Sequence, residues 1–297
     1  MATPPNLRAG SRNTLQNRSM SRTRVVALTL LAMFAFAANS LLCRMALKHT
    51  AIDPASFTLV RIVSGALALS LIVRMRDGKQ ASAGDWPSAF ALFVYAAAFS
   101  FAYLSLTAAT GALLLFAAVQ TTMIGFGLYK GERLGARQTL GLVCALAGLA
   151  GLLIPGLSAP PWRGSALMLA AGMAWGVYSL RARGSGDPLR ATAGNFARAA
   201  VFVAALGIVM LPSVSLDGAG VGWAMVSGAL ASGVGYAIWY TALAGLKVTS
   251  AATIQLSVPV IAAAGGIVFL GEPVTLRLVI ASIVILGGVA LVIARKR

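Results

Sequence analysis

The chain has 297 residues, of which 59% are apolar and only 10% charged, with a mean hydropathy of +0.85. Those figures exclude a water-soluble domain, whose surface needs far more polar residues. The formal charge of +17 would suit nucleic acid if the basic residues gathered on one surface, but they are dealt out between apolar runs, and nucleic acid is not expected as a partner.

A bilayer core of roughly 30 Å takes about 20 apolar residues per helix. Ten such runs lie at about 25–47, 54–73, 87–107, 110–129, 136–154, 164–182, 190–211, 219–243, 249–270 and 275–294. Residues 1–24 precede them as a polar arm rich in Arg, Asn and Ser, expected to be disordered. In the first run Ala35-Phe36-Ala37 looks like a signal-peptidase site, yet apolar character continues to Leu47 and no cleavage is expected. Cys43 in the first run and Cys144 in the fifth lie in separate helices, so neither a disulfide nor a metal site is expected. The second and seventh runs open at Asp53-Pro54 and Asp187-Pro188, an N-cap followed by a proline at the first helical position. Trp86, Trp162 and Trp223 sit at predicted helix ends, where the interfacial aromatic belt belongs.

Threading the ten runs with the N-terminus inside places 18 of the 24 basic residues on the inner side. Only Arg44, Lys48, Arg163 and Arg277 fall outside, while Arg61 and Arg198 lie within spans. By the positive-inside rule both termini are cytoplasmic, in a multi-pass protein of a bacterial-type inner membrane.

The sequence repeats itself at an offset of about 140. Gly131-Glu132 recurs as Gly271-Glu272, Arg137 as Arg277, and the glycine-rich run 147–153 as 287–293. At an offset of 139, Phe36 is set against Trp175, Ser40 against Ser179 and Arg44 against Arg183. The fold class is therefore an all-α integral membrane protein of two five-helix repeats, 25–156 and 162–297. An odd number of helices per copy makes the second copy upside down, and inverted repeats of this kind build transporters with a midplane site between the halves. Gene duplication in a membrane protein of another role is the alternative.

Polar groups inside a span face a cavity or another helix. Asn39, Gln120 and Gln255 are amides able to donate to a carboxylate or accept from an ammonium; bridging between helices is the blander role. Tyr95, Phe99 and Tyr103 recur every fourth residue, Phe116 and Gln120 share a helix face, and Trp175, Tyr178, Tyr236, Trp239 and Tyr240 lie inside their runs. Such aromatics suit a pocket for apolar or aromatic side chains, or plain helix packing. For Arg61 and Arg198, capping of neighbouring carbonyls by a snorkelling side chain is favoured over binding a substrate carboxylate. Glu132 and Glu272 are expected to tie down loops by pairing with Arg133 or Arg137 and with Arg277. Gly125, Gly127, Gly265, Gly266, Gly287 and Gly288 are expected at helix contacts.

All seven acidic residues lie near helix ends, and His49, the single histidine, is in a loop. No carboxylate or histidine is placed at depth as a proton relay, which favours a facilitator. The same lack argues against an intramembrane enzyme, and no Walker lysine is present for ATP; no cofactor is expected.

The Gly-Glu pairs, Arg61 and Arg198, and the segment 171–178 (Ala-Gly-Met-Ala-Trp-Gly-Val-Tyr) resemble the EamA-type branch of the drug/metabolite transporter superfamily over residues 25–294. Within it the chain looks like the YddG amino-acid exporters. Pro259 stands where that family often has a proline, while the first-repeat equivalent is Val119, leaving open whether the fourth helix is kinked like the ninth. The resemblance implies a central cavity lined mainly by helices 1, 3, 4, 6, 8 and 9 and export of amino acids or related metabolites; with the aromatics named above, neutral aromatic or hydrophobic amino acids are expected. Candidate substrate-binding residues are Asn39, Tyr95, Phe99, Tyr103, Phe116, Gln120, Trp175, Tyr178, Tyr236, Trp239 and Gln255. The rivals are export of another small metabolite or a lipophilic cation on the same fold, a non-transporting membrane scaffold, and a channel, for which no ring of charges or carbonyl filter is visible.

Overall fold

The computed structural model describes residues 21–78, 83–131, 133–156, 159–182, 186–246 and 248–293. The disorder expected of residues 1–20 and the pairing expected of Glu132 therefore fall outside the described residues, whereas Ser21 to Arg24, expected to belong to the disordered arm, cap and begin the first helix. Among the described residues the chain is all-helical, with no strands. The helices are α1 (Arg22–His49), α2 (Pro54–Asp77), α3 (Trp86–Ala102), α4 (Ala108–Tyr129), α5 (Ala136–Leu153), α6 (Trp162–Ala182), α7 (Pro188–Val209), α8 (Gly218–Val226), α9 (Gly235–Leu243), α10 (Val248–Gln255), α11 (Ser257–Leu270) and α12 (Leu276–Ile293).

A π-helical stretch, Ser227–Val234, joins α8 to α9, so that Gly218–Leu243 is one continuous rod. Among the described residues seven segments are long and apolar enough to cross a membrane: α1, α2, α4, α5, α7, this rod and α12. Helices α3 and α11 are shorter apolar helices. The run predicted at 87–107 ends early because Tyr103 to Leu106 turn back on the last carbonyls of α3.

Local chemistry sets the boundaries. The Asp53 side chain accepts from the amides of Ala55 and Ser56, with Pro54 first in α2; Asp85, Thr107, Asp187 and Asp217 cap α3, α4, α7 and α8 in the same way. Asp53 also accepts from the Ser215 amide, tying α2 to the loop before α8. Burial pushes its carboxyl up, but hydrogen bonds from Ser56, Ser215 and Ala55 more than offset this and hold it below the usual carboxylate range. A lowered pKa contributes stability above the unfolded value of about 3.9 and loses it as pH falls through the folded one, so this strut survives mild acid.

The interruption between α10 and α11 at Leu256 follows from Pro259, which has no N–H to give the Gln255 carbonyl and whose ring crowds it. Val119 imposes no such constraint, and α4 runs unbroken from Ala108 to Tyr129. The question left open by the unequal repeat positions is answered by the proline itself.

Helices pair in a pattern that survives exchange of the two halves. Helix α2 packs on α7 and α5 on α12; α3 packs on α6 as α1 does on the Gly218–Leu243 rod; α4 packs on α6 as α1 does on α11. Small residues allow the closest approaches. A Cβ on Gly288 would stand 2.5 Å from the Gly141 carbonyl oxygen, and one on Gly228 would stand 2.1 Å from that of Arg61. Gly265 is likewise filled by Leu41, whereas Gly125 and Gly287 face open space and are not contact glycines. Outward, Leu67, Leu71, Val268, Phe269 and Ile283 are largely exposed, as an apolar solvent permits.

One expected partner is wrong. Glu272 pairs not with Arg277 but with Arg44 Nε at 3.0 Å, and its other oxygen accepts from the Ala108 amide at 2.7 Å. Gly271, in the left-handed region at φ 59°, turns the chain back so that the Glu272 amide reaches the Gly266 carbonyl; only glycine adopts that turn cheaply. Glu272 is thereby aimed at the start of α4, while Arg277 donates to the Ile154 carbonyl at 2.6 Å. Arg44 also donates to the Tyr103 carbonyl at 2.8 Å, so α1, α3, α4 and α11 are joined at one end of the bundle.

Gly228→Ala is expected to cost about 1–3 kcal/mol by overpacking against a backbone oxygen, read as a lower melting temperature in detergent, while Gly125→Ala leaves melting unchanged or raises it. Glu272→Ala removes a buried ion pair and a helix cap together and is expected to cost about 3–5 kcal/mol in the same melt.

Candidate functional site

Six segments converge on a cavity inside the bundle. Its wall is made by Phe36, Asn39 and Ser40 of α1, Tyr95 and Phe99 of α3, Leu115 and Phe116 of α4, Trp175 of α6, Ala231, Ser232 and Tyr236 of the Gly218–Leu243 rod, and Gln255 at the end of α10. Its volume is about 40 Å³, room for a few waters at about 10–15 Å³ each and too little for an amino acid. Ligand entry therefore requires the wall to part.

Trp175 is the hub of the apolar surface. Its ring lies 4.8 Å from Tyr95, 5.3 Å from Tyr178 and 5.4 Å from Tyr236, the last two stacked at 30° and 19°. Phe36 meets Tyr236 at 5.7 Å, and Tyr95 meets Phe99 at 5.5 Å. Aromatic faces from α1, α3, α6 and α9 thus form one connected lining, suited to a flat apolar guest.

The polar groups form a chain along one side. Ser227 donates to Asn39 Oδ1 at 2.6 Å, and Asn39 Nδ2 donates to the Tyr95 hydroxyl at 3.3 Å. Arg61 Nη2 donates to the same hydroxyl at 3.1 Å. Arg61 does not snorkel: it is 1% exposed, with its guanidinium 4.8 Å from the Phe99 ring centre and 5.3 Å from that of Tyr95. Tyr95, on the adjacent α3, holds it inside the bundle. Arg198 does cap carbonyls, donating to Ala83 and Gly194 at 2.9 and 3.0 Å.

Of the residues singled out in the sequence, the cavity brings together Asn39, Tyr95, Phe99, Phe116, Trp175, Tyr236 and Gln255. Four lie elsewhere. Tyr103 follows the end of α3 and packs against Gly111, its hydroxyl on the Ala108 carbonyl. Tyr178 stands behind Trp175, its hydroxyl donating to Thr192. Trp239 belongs to a separate apolar cluster with Met33, Ala37 and Val258, and Gln120 is buried in α4 away from the lining. Phe36, Ser40, Leu115, Ala231 and Ser232 were not anticipated. Phe36 and Ser40 carried a usable signal, because the repeat sets Phe36 against Trp175; the small residues of the π-helical stretch carried none.

Ion pairs close both ends of the bundle. Opposite the Arg44–Glu272 end, Asp77 at the end of α2 pairs with Arg190 at 2.9 Å, Arg76 pairs with Asp187, and Arg181 at the end of α6 pairs with Asp85 at 2.9 Å. Among the described residues no acidic side chain lies in the cavity wall, and no group of three His, Cys, Asp or Glu stands together.

The EamA-like transporter family matches residues 23–154 and 162–294. A Pseudomonas aeruginosa protein described as "Uncharacterized protein PA1977" is 55% identical over 278 residues, covering 93% of this chain and 97% of the relative. A solved crystal structure matches at a TM-score of 0.64 and 20% sequence identity, covering 92% of this chain and 98% of the other, a likeness of fold.

Pro259→Ala supplies the missing N–H beside the Gln255 carbonyl. It is expected to raise the melting temperature, as restoring a helix interior does by up to about 3 kcal/mol, and to change ligand response at the cavity, read by melting with and without ligand.

Proposed function

The chain belongs to the EamA-like transporter family, and on that premise we propose that it exports neutral amino acids with aromatic or hydrophobic side chains and related metabolites, the activity that a resemblance to the YddG exporters implies. Members of the family are transporters rather than enzymes, and this chain is a multi-pass membrane protein. The observation that carries the reading is the cavity: an aromatic lining with Trp175 at its hub, edged by Asn39 and Gln255, which offer both donors and acceptors.

In this reading the protein crosses a bacterial inner membrane ten times with both termini in the cytoplasm, as the basic residues direct. The two five-helix repeats are inverted and alternate access to the cavity between the two faces. Helix pairing that survives exchange of the halves supports two nearly equivalent packings. The break at Leu256 supports a midplane site, since transporters place discontinuous helices there. Lack of an acidic side chain in the described cavity wall supports a facilitator driven by the substrate gradient.

The test is efflux from liposomes holding purified protein and preloaded with labelled tryptophan, phenylalanine, threonine or a quaternary ammonium dye, with and without a pH gradient. Amino-acid efflux that ignores the gradient is the expected result. Dye efflux alone would assign the fold to lipophilic cations, and efflux of nothing would favour a scaffold. Gln255→Ala is expected to slow tryptophan efflux about two- to tenfold, the contribution of one neutral hydrogen bond, without lowering the melting temperature.

A further inference from the structure

Arg61 is a buried cation without a counter-charge among the described residues. It is 1% exposed, and among the described residues none of the ion pairs includes it. Among the described residues only its Nη2 has a partner, the Tyr95 hydroxyl; Nε and Nη1 have none there. Arg198, in the repeat-equivalent helix, differs, since it is only half-buried and its Nη1 donates to two carbonyls. A buried cation in a low-dielectric interior is costly unless an anion or several acceptors meet it, and the faces of Phe99 and Tyr95 offset that only in part.

The groups between Arg61 and the cavity are arranged as donors. The Tyr95 hydroxyl accepts from both Arg61 and Asn39, which leaves its own proton to give. Ser232, 2% exposed and part of the cavity wall, has a hydroxyl with no partner among the described residues. Two hydroxyl donors backed by an uncompensated positive charge suit an acceptor that carries negative charge.

We propose that the cavity holds its ligand by a carboxylate, received by the Tyr95 and Ser232 hydroxyls, with Arg61 acting through Tyr95 as the positioning residue that supplies the counter-charge. The ligand class is an aromatic or apolar monocarboxylate, with or without an amino group. A lipophilic cation is repelled by the same charge. The proposal rests on reading this cavity as the transport site.

The test is thermal melting of the purified full chain in detergent with tryptophan, with indole-3-propionate, which keeps the carboxylate and lacks the amine, and with tryptamine, which keeps the amine and lacks the carboxylate. Tryptophan and indole-3-propionate are expected to raise the melting temperature and tryptamine to leave it unchanged. Arg61→Met is expected to weaken the response to both carboxylates by roughly tenfold or more in the concentration required, the range for a charge-assisted hydrogen bond. Should Arg61→Met not fold, Tyr95→Phe removes one of the two hydroxyls and is expected to narrow the preference for tryptophan over tryptamine, a readout that a purely structural role would not move. A response to indole-3-propionate but not to tryptophan would sustain the carboxylate site while removing the amino-acid assignment. An equal response to tryptamine, a full response in Arg61→Met or an unchanged preference in Tyr95→Phe would overturn the site, as would no response to any of the three.

Discussion

In a bilayer the backbone has no water to bond with, so each N–H and C=O must be met inside its own helix or by a neighbour. That constraint makes the described chain helical throughout, and it gives weight to the places where regular helix is given up. Among the described residues two such places stand out, the π-helical stretch Ser227–Val234 within the Gly218–Leu243 rod and the interruption at Leu256 between α10 and α11. Both border the cavity, the first through Ala231 and Ser232 and the second through Gln255. π-helical turns inside α-helices are rare and concentrate at functional sites, and this one borders the candidate cavity.

Packing follows from the same solvent. Lipid gives no hydrophobic push between helices, so association relies on close contact and small residues. Gly141 facing Gly288 brings α5 and α12 together, and Gly228 lays the π-helical stretch on α2 beside Arg61. The contact that seats the rod therefore also fixes the backbone from which the buried guanidinium extends. The two halves pair alike but are not copies at their polar positions. Pro259 has no counterpart in α4, and Arg198 caps carbonyls where Arg61 lies beneath aromatic rings.

Much of the framework was legible because it depends on local rules. Apolar run length located the helices, and Asp-Pro pairs marked the starts of α2 and α7. What failed depended on neighbours across the bundle. The stripe Tyr95, Phe99, Tyr103 shares a helix face, yet α3 ends before Tyr103, so that ring turns to Gly111. Tyr236 and Trp239 are three residues apart, but one faces the cavity and the other a separate cluster. Glu272 was matched to a near neighbour in sequence, while its partner is 228 residues away. Small wall residues such as Ala231 leave no trace in an apolar sequence, because nothing in their chemistry separates cavity wall from helix contact.

The ion pairs at the two ends differ in what can weaken them. The Arg44 and Glu272 side chains retain 13% and 4% of their exposure, whereas Arg181 and Asp85 at the opposite end retain 43% and 48%. Mobile ions screen charges they can approach, over a Debye length of about 8 Å at physiological ionic strength, and have little access to a buried pair. Added salt therefore weakens the Arg181–Asp85 pair more than the Arg44–Glu272 pair, with Arg190 and Asp77, at 26% and 16%, between them; the two ends of the bundle are electrolytically unequal.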